Sequence, residues 1–258
     1  FDGHSFVADA VNKGASALLV DHPMEIDVPQ LVVADTRIAL GQLGAMVKRM
    51  VAPKTVAITG SSGKTTVKEM VSSIMSRLGK VLATQGNFNN DIGVPLTLLR
   101  LEQDHDYAVV ELGANHLGEI AYTTQLVKPD VAIINNVAAA HLEGFGDLFG
   151  VARAKGEIFN GLGTEGISIV NADSEYSLFW QRRLYNRKMV TFGLEHDADI
   201  TADNVVFDMD GCASFELMHE GKKHLIQLNV PGRHNVANAM AATAICLSMG
   251  AQMEDIKR

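Results

Sequence analysis

The run Thr59-Gly60-Ser61-Ser62-Gly63-Lys64-Thr65-Thr66 joins an apolar, β-branched segment, Thr55-Val56-Ala57-Ile58, to a stretch with helical spacing. A strand, a glycine-rich turn and a helix start in that order aim several backbone N–H groups and the positive end of a helix dipole at one point. Such a turn cradles phosphate: Lys64 is placed to reach the terminal phosphates, and the Thr65 hydroxyl to ligate Mg²⁺. Gly60, Ser61, Ser62, Gly63, Lys64, Thr65 and Thr66 are therefore the expected nucleotide contacts. The general phosphate-loop pattern asks for a further glycine where Ile58 stands. Only the contracted form Gly-x-x-Gly-Lys-Thr is met, so the flanking strand and helix carry the argument.

In an open parallel sheet, ligands bind beyond the carboxyl ends of the strands. Polar residues recur there: Glu111 after Tyr107–Val110, Asn135 and Asn136 after Val131–Ile134, Asn171 and Asp173 after Ile167–Val170. An isolated acid at a strand end is usually a solvated turn residue. Beside a phosphate loop the balance reverses, because Mg²⁺ needs oxygen ligands, and Glu111 is the expected one. Two readings fit Asn235 and Asn238: Asn235 caps the last helix, or the two amides, both donor and acceptor, read a purine edge. Lys155 by residue type alone is a solvated helix lysine. Its protonated amine has no lone pair for a metal, and a carbamate needs the neutral amine, scarce near pH 7 at an ordinary pKa of ~10.4. His141 is one of nine histidines and carries no signal by itself.

The elements that must position these residues follow from periodicity. Val67, Met70, Val71, Ile74, Met75 and Leu78 form one stripe, which predicts a helix over 64–78. From Lys54 onward apolar strands alternate with helices, the pattern of a mostly parallel sheet with helices on both faces. Val205–Phe207, Ser214–Leu217 and Leu225–Leu228 alternate around Asp210-Gly211 and Glu220-Gly221, which predicts antiparallel hairpins added at the sheet edge. A final helix is expected from Asn235 to Met249. Residues 1–51 read as a small partial α/β domain and 52–258 as the phosphate-loop domain. In the first, Phe6 to Asn12 is helical with Gly14 just past its end, 17–20 and 31–33 are short buried strands, and Asp35 caps a helix carrying Ile38, Leu43, Met46, Val47 and Met50.

The chain has 258 residues, 47% hydrophobic and 20% charged, ordinary for a globular protein with ample core. A net charge of −8 argues against a nucleic-acid footprint. Cys212 and Cys246 make neither a disulfide framework nor a metal motif, and reduced thiols in the cytoplasm are the default. No apolar run approaches the ~18 residues of a membrane span. The chain starts without Met and stops at Lys257-Arg258, so it reads as a piece of a longer protein.

Five motifs in series carry a resemblance: Gly60–Thr66, Glu111-Leu-Gly-Ala-Asn-His116, Asn136-Val-Ala-Ala-Ala-His141-Leu-Glu-Gly-Phe145, Ala152-Arg-Ala-Lys155-Gly-Glu157 and Gly232-Arg-His-Asn235-Val-Ala-Asn238. In order and spacing, over essentially the whole chain, they resemble the Mur ligase family of ATP-dependent amide-forming enzymes. Thr84–Thr97, Glu111–His116 and Phe1–Phe6 resemble the members that add D-alanyl-D-alanine to a UDP-N-acetylmuramoyl-tripeptide in peptidoglycan synthesis.

The resemblance implies Lys64 on the ATP phosphates, Thr65 and Glu111 on one Mg²⁺, His141 and a carbamylated Lys155 on a second, and Asn235 and Asn238 near the adenine. Thr84, Asn89 and Asn90 would line the channel for the UDP-muramoyl peptide. Lys64, His141 and Lys155 would be the catalytic residues of an acyl-phosphate mechanism, in a cytoplasmic, monomeric enzyme. The family's third domain is missing from this sequence, so weak nucleotide binding and poor turnover are expected of the chain alone.

Rival readings are a folylpolyglutamate or cyanophycin type of ligase, a phosphate-loop regulator, and a non-catalytic descendant of a ligase. A GTPase would carry Asn-Lys-x-Asp after the cradle, yet the chain's Asn12-Lys13 precedes it and continues Gly14-Ala15. A non-catalytic descendant would be expected to have lost Lys64, Glu111, His141 or Lys155, and all four are present.

Overall fold

The computed structural model describes residues 2–139 and 142–258. After a 3-10 turn at Gly3–Phe6 come α1 (Val7–Asn12), β1 (Leu18–Val20), β2 (Gln30–Val32) and α2 (Thr36–Val51). Gly14 follows α1 at φ 102°, a left-handed conformation that a Cβ would strain. β1 and β2 pair in parallel as a two-stranded sheet of their own, and the burial expected of the second strand is corrected: Leu31 and Val32 are exposed in a sheet of only two strands. Asp35 caps α2 as expected, its Oδ1 accepting the N–H groups of Arg37 and Ile38 at 2.8 and 3.0 Å.

The apolar stripe expected on α2 is a correction. Ile38, Met46 and Met50 are exposed, and the buried face is Ala39, Gly41, Gly44 and Ala45. Large apolar residues hold helices apart, whereas small ones let backbones meet. A Cβ on Gly44 would stand 3.0 Å from both Cα and O of Pro95 on the helix that α2 packs against.

The phosphate-loop unit runs β3 (Lys54–Thr59), α3 (Lys64–Met75), β4 (Val81–Ala83), α4 (Gly93–Leu98), β5 (Tyr107–Glu111), α5 (Glu119–Val127) and β6 (Val131–Ile134). It continues with α6 (Leu142–Phe145), α7 (Leu148–Gly156), β7 (Ile167–Asn171), α8 (Ser177–Arg183) and β8 (Lys188–Phe192). The chain ends with β9 (Ile200–Phe207), β10 (Cys212–His219), β11 (Lys222–Pro231), α9 (His234–Ser248) and α10 (Met253–Lys257). α3 stops three residues short of the expected end, leaving Leu78 exposed.

Among the described residues the main sheet has nine strands in the order β11-β10-β9-β8-β7-β6-β3-β5-β4. β4 to β9 are parallel neighbours, and β9-β10-β11 form the antiparallel edge expected from the alternation. Glu220 and Gly221, both at positive φ, make the two-residue turn between β10 and β11.

Strand periodicity divides the core in two. Val56 and Ile58 of β3 and Val109 of β5 face one layer, under α3 and α9, which adds Val67, Val71, Met240 and Ile245. Ala57, Ala108 and Val110 face the other, with Val94, Ile120, Ile158 and Trp180. With both faces covered, the central strands are almost wholly apolar rather than alternating in polarity. Among the described residues no helix is long and apolar enough to cross a membrane.

The direction of the chain reverses around β3: β5 and β4 lie to one side, β6 and β7 to the other. That is the topological switch point, where a crevice opens at the strand ends. The packing of α2 is testable. Gly44→Val should lower the unfolding free energy by about 1–3 kcal/mol through overpacking against Pro95, whereas Met50→Ser should change it by less than about 0.5 kcal/mol, both read by urea denaturation.

Candidate functional site

β3 ends at Thr59 and α3 begins at Lys64, so residues 60–63 form the turn at the switch point. Gly63 sits at φ 71°, and a Cβ there would lie 2.6 Å from Asn238 Oδ1 and 2.8 Å from Asn135 Nδ2. Glycine is required on both counts. α3 has no capping side chain among the described residues, so its first-turn N–H groups are free of the usual intrachain partner. Lys64 Nζ donates to the Gly60 carbonyl at 2.9 Å, folded over the turn. An uncapped helix start beside a lysine fits an anion.

The end of β6 holds the turn in place. Asn136 Oδ1 accepts the Ser62 N–H at 2.9 Å and Asn136 Nδ2 donates to the Ser62 carbonyl at 3.0 Å. Asn135 Nδ2 donates to the same carbonyl at 3.2 Å and to Asn238 Oδ1 at 3.0 Å. Asn238 Nδ2 then donates to Asn235 Oδ1, and Asn235 Nδ2 to the Pro231 carbonyl. The capping reading of Asn235 is corrected: Arg233 occupies the cap position of α9, and the Asn235 amide reaches back to the end of β11. Both amides are buried and bonded within the chain. Asn238 also lines a cavity of about 420 Å³ on the far side of the turn, with Ser62, Thr66, Asn171 and His234, whereas Asn235 does not.

Glu111, at the end of β5, is 3% exposed. Its Oε2 accepts from the Thr65 hydroxyl at 3.1 Å and its Oε1 from Asn89 Nδ2 at 2.9 Å. Both partners are neutral, and among the described residues no lysine, arginine or histidine pairs with this carboxylate. A buried carboxylate with neutral donors and a hydroxyl alongside is a hard-oxygen donor set, which fits Mg²⁺.

Lys64 and Lys155 line one cleft of about 240 Å³, together with Gly60, Ser61, Asn89 and Asn90. Lys155 comes from α7, whose start is capped by Asp147 Oδ1 on the Gly150 N–H at 2.6 Å. Its far end is tied down by Glu157, whose carboxylate accepts the N–H groups of Gly118 and Ala121 at the start of α5, where Gly118 offers no capping side chain of its own. Lys155 is therefore not the solvated helix lysine its residue type suggests: it is 6% exposed. Burial, and then the charge of Lys64, pushes its amine down to about 8. The neutral form then amounts to roughly a tenth near pH 7 rather than a trace. This supplies the lone pair that the sequence alone left scarce.

The structure thus brings together Lys64, Thr65, Asn89, Asn90, Glu111 and Lys155. His141 lies outside the described residues. Thr84 departs from expectation: it is 1% exposed and stands behind Glu111 rather than in the cleft, its hydroxyl accepting the Glu111 N–H at 3.0 Å. Sequence reasoning marked Asn135 and Asn136 as strand-end residues without giving them work, and overlooked Asn115, Glu119 and Phe145 in the cleft lining. The clue for Asn115 was its place within Glu111–His116.

Comparison with known proteins identifies the family. The Mur ligase middle domain matches residues 58–246. The chain is 53% identical, over its whole length, to UDP-N-acetylmuramoyl-tripeptide–D-alanyl-D-alanine ligase of Escherichia coli and 50% identical to that of Haemophilus influenzae. It spans 57% and 56% of those two proteins, so about half the length of the curated relatives it matches. Among solved structures, MurF from Acinetobacter baumannii superposes with a TM-score of 0.95 at 44% identity, over 100% of this chain and 56% of that one. MurF from Thermotoga maritima in complex with ADP gives 0.88 at 26% identity, over 100% and 60%. On the strength of the domain match and the shared fold, the chain belongs to the Mur ligase family, with its middle domain at residues 58–246.

Proposed function

We propose that the chain is the ATP-binding part of a ligase that adds D-alanyl-D-alanine to a UDP-N-acetylmuramoyl-tripeptide in peptidoglycan precursor synthesis. The observation that carries this reading is the convergence of Lys64 and Lys155 on one cleft, with the buried carboxylate of Glu111 braced between Thr65 and Asn89 at its edge. The curated relatives named for this reaction support it over other amide ligases of the superfamily. Residues 1–51 would be part of the domain that holds the uridine nucleotide, and 52–258 the ATP domain, acting in the cytoplasm.

The reaction joins two anions before it forms an amide. ATP gives its γ-phosphoryl group to the peptide carboxylate, leaving ADP and an acyl phosphate; the incoming amine displaces phosphate and loses a proton. Lys64 and the N–H groups at the start of α3 offset the charge of the transferring phosphoryl. Gly60, Ser61, Ser62, Gly63, Thr65 and Thr66 wrap the phosphates. Thr65 and Glu111 are the residues that would hold one Mg²⁺, which when bound neutralises phosphate oxygens. Lys155 as a carbamate, with His141, would hold a second. Carbamate formation joins the neutral amine to CO₂ and releases a proton, and the depressed pKa favours it. Asn238, lining the cavity beyond the turn, would face the adenine, with Asn235 supporting it. Asn89 and Asn90 would border the peptide channel.

Phosphate release that requires both the UDP-muramoyl-tripeptide and D-alanyl-D-alanine is the direct test. Lys64→Met should lower it by about 10²–10³; release that is indifferent to D-alanyl-D-alanine would count against the assignment. Lys155 gives a second expectation. With ¹³C-labelled bicarbonate, a carbamate signal should grow between pH 7 and about pH 8 and be absent from Lys155→Met. In CO₂-free buffer the sign is fixed by linkage: the unfolded chain holds the Lys155 proton up to the ordinary lysine value of 10.5, the folded chain only to about 8. Wild-type stability should therefore rise between those limits relative to Lys155→Met, by about 3 kcal/mol in chemical denaturation.

A further inference from the structure

Thr84 and Lys68 are two buried polar residues that the proposed chemistry leaves without a task, at 1% and 3% exposure. Their placement follows from a mismatch in strand length. β4 ends at Ala83, opposite Val109, while β5 runs on to Glu111. On that side, the Glu111 N–H has outlasted its neighbouring strand. Thr84 fills the gap with all of its polar groups. Its N–H continues the ladder to the Val109 carbonyl at 3.0 Å. Its hydroxyl, rather than its carbonyl, accepts the Glu111 N–H at 3.0 Å. The carbonyl, released from the ladder, accepts from Lys68 Nζ at 2.8 Å.

Lys68 stands on α3 three residues beyond Thr65, the residue whose hydroxyl meets Glu111 Oε2 at 3.1 Å. One helix therefore grips the same segment twice. Thr65 touches the Glu111 carboxylate from the front, and Lys68 fixes from behind the threonine that holds the Glu111 backbone. Glu69 Oε1 completes the Lys68 ammonium at 2.8 Å. A buried lysine whose charge is spent on a backbone carbonyl and the neighbouring glutamate is costly if its only duty is packing.

We propose that Thr84 and Lys68 are positioning residues for Glu111, closing a ring Thr65–Glu111–Thr84–Lys68 that sets the carboxylate at the Thr65 hydroxyl for a divalent cation. This rests on the nucleotide–Mg²⁺ reading of the site given above. Outer residues that orient a metal ligand act on cation affinity rather than on the nucleotide itself.

The test is calorimetric binding of ADP to the protein with and without MgCl₂. Thr84→Val keeps the side-chain volume but removes the acceptor for the Glu111 N–H. ADP affinity without Mg²⁺ should stay within about twofold of wild type, and the Mg²⁺ concentration for half-maximal enhancement should rise about 10-fold or more. Thr84→Ser should restore it, and Lys68→Met should shift it in the same direction. An unchanged Mg²⁺ requirement in Thr84→Val, or an equal loss of ADP affinity with and without Mg²⁺, overturns the brace. Should Thr84→Val not fold, Lys68→Met carries the same expectation and the same refutation. A wild-type protein whose ADP binding ignores Mg²⁺ would instead overturn the site reading, and the brace with it.

Discussion

Taking a carboxylate out of water without giving it a cation is expensive, and the cleft is arranged around one such group. Glu111 is nearly inaccessible, and among the described residues its oxygens meet a hydroxyl and an amide. Neutral donors offset part of the lost hydration but leave the charge uncompensated. To deliver even those donors, three separate pieces of chain must agree in register: the start of α3, the segment after β4 and the end of β5. The parallel pairing of β3 with β5 and of β5 with β4 sets that agreement: Ile58 lies opposite Glu111, and Ala83, opposite Val109, hands on to Thr84. A carboxylate held so firmly with an open coordination demand is a poor choice for stability alone and a good one for a cation that comes and goes with its nucleotide.

The two lysines add the complementary imbalance. Lys64 and Lys155 share one cleft, and the charge of Lys64 raises the cost of charging Lys155. The fold relieves this by letting Lys155 give up its proton more readily, and an anion between them would relieve it by attraction. Glu157 serves the same end at one remove. By capping α5 it pins the Ala-Lys-Gly-Glu run, so the Lys155 backbone cannot relax the repulsion by retreating. Gly156 has its own reason to be small, since a Cβ would approach Trp180 Nε1 to 3.0 Å.

Where the sequence was legible, one physical rule acted alone. Val56–Ile58 and Val131–Ile134 are buried on both faces and read as unbroken apolar runs, and Ile167–Val170 is interrupted only by Ser168. The hairpins of β9–β11 announced themselves through alternation and the Glu220-Gly221 turn. Where rules competed, the reading failed. On α2 apolarity pointed to Ile38, Met46 and Met50, but close approach of helices selected Ala39, Gly41, Gly44 and Ala45. β4 is three residues long and α4 six, too short for a period to register. Lys155 and Thr84 show the deeper limit. Lys155 was judged by residue type and Thr84 by resemblance, whereas burial and a partner distant in sequence decide what each side chain does.

The antiparallel edge also bears on the turn, although it lies at the far end of the sheet. Pro231 closes β11, and its carbonyl begins a line of amides through Asn235, Asn238 and Asn135 to the Ser62 carbonyl. Asparagine suits such a line because one side chain both donates and accepts without carrying charge, so each link is satisfied at little desolvation cost. The Gly63 Cβ position is closed off by two of these same amides. The turn is therefore fixed from outside before any ligand arrives, by strand β6 on one side and by the β11–α9 junction on the other. Dipoles fixed in advance stabilise developing charge without reorganising as it forms. A turn rich in glycine and serine would otherwise be among the most mobile parts of the chain, and the asparagine line is what turns it into a rigid template.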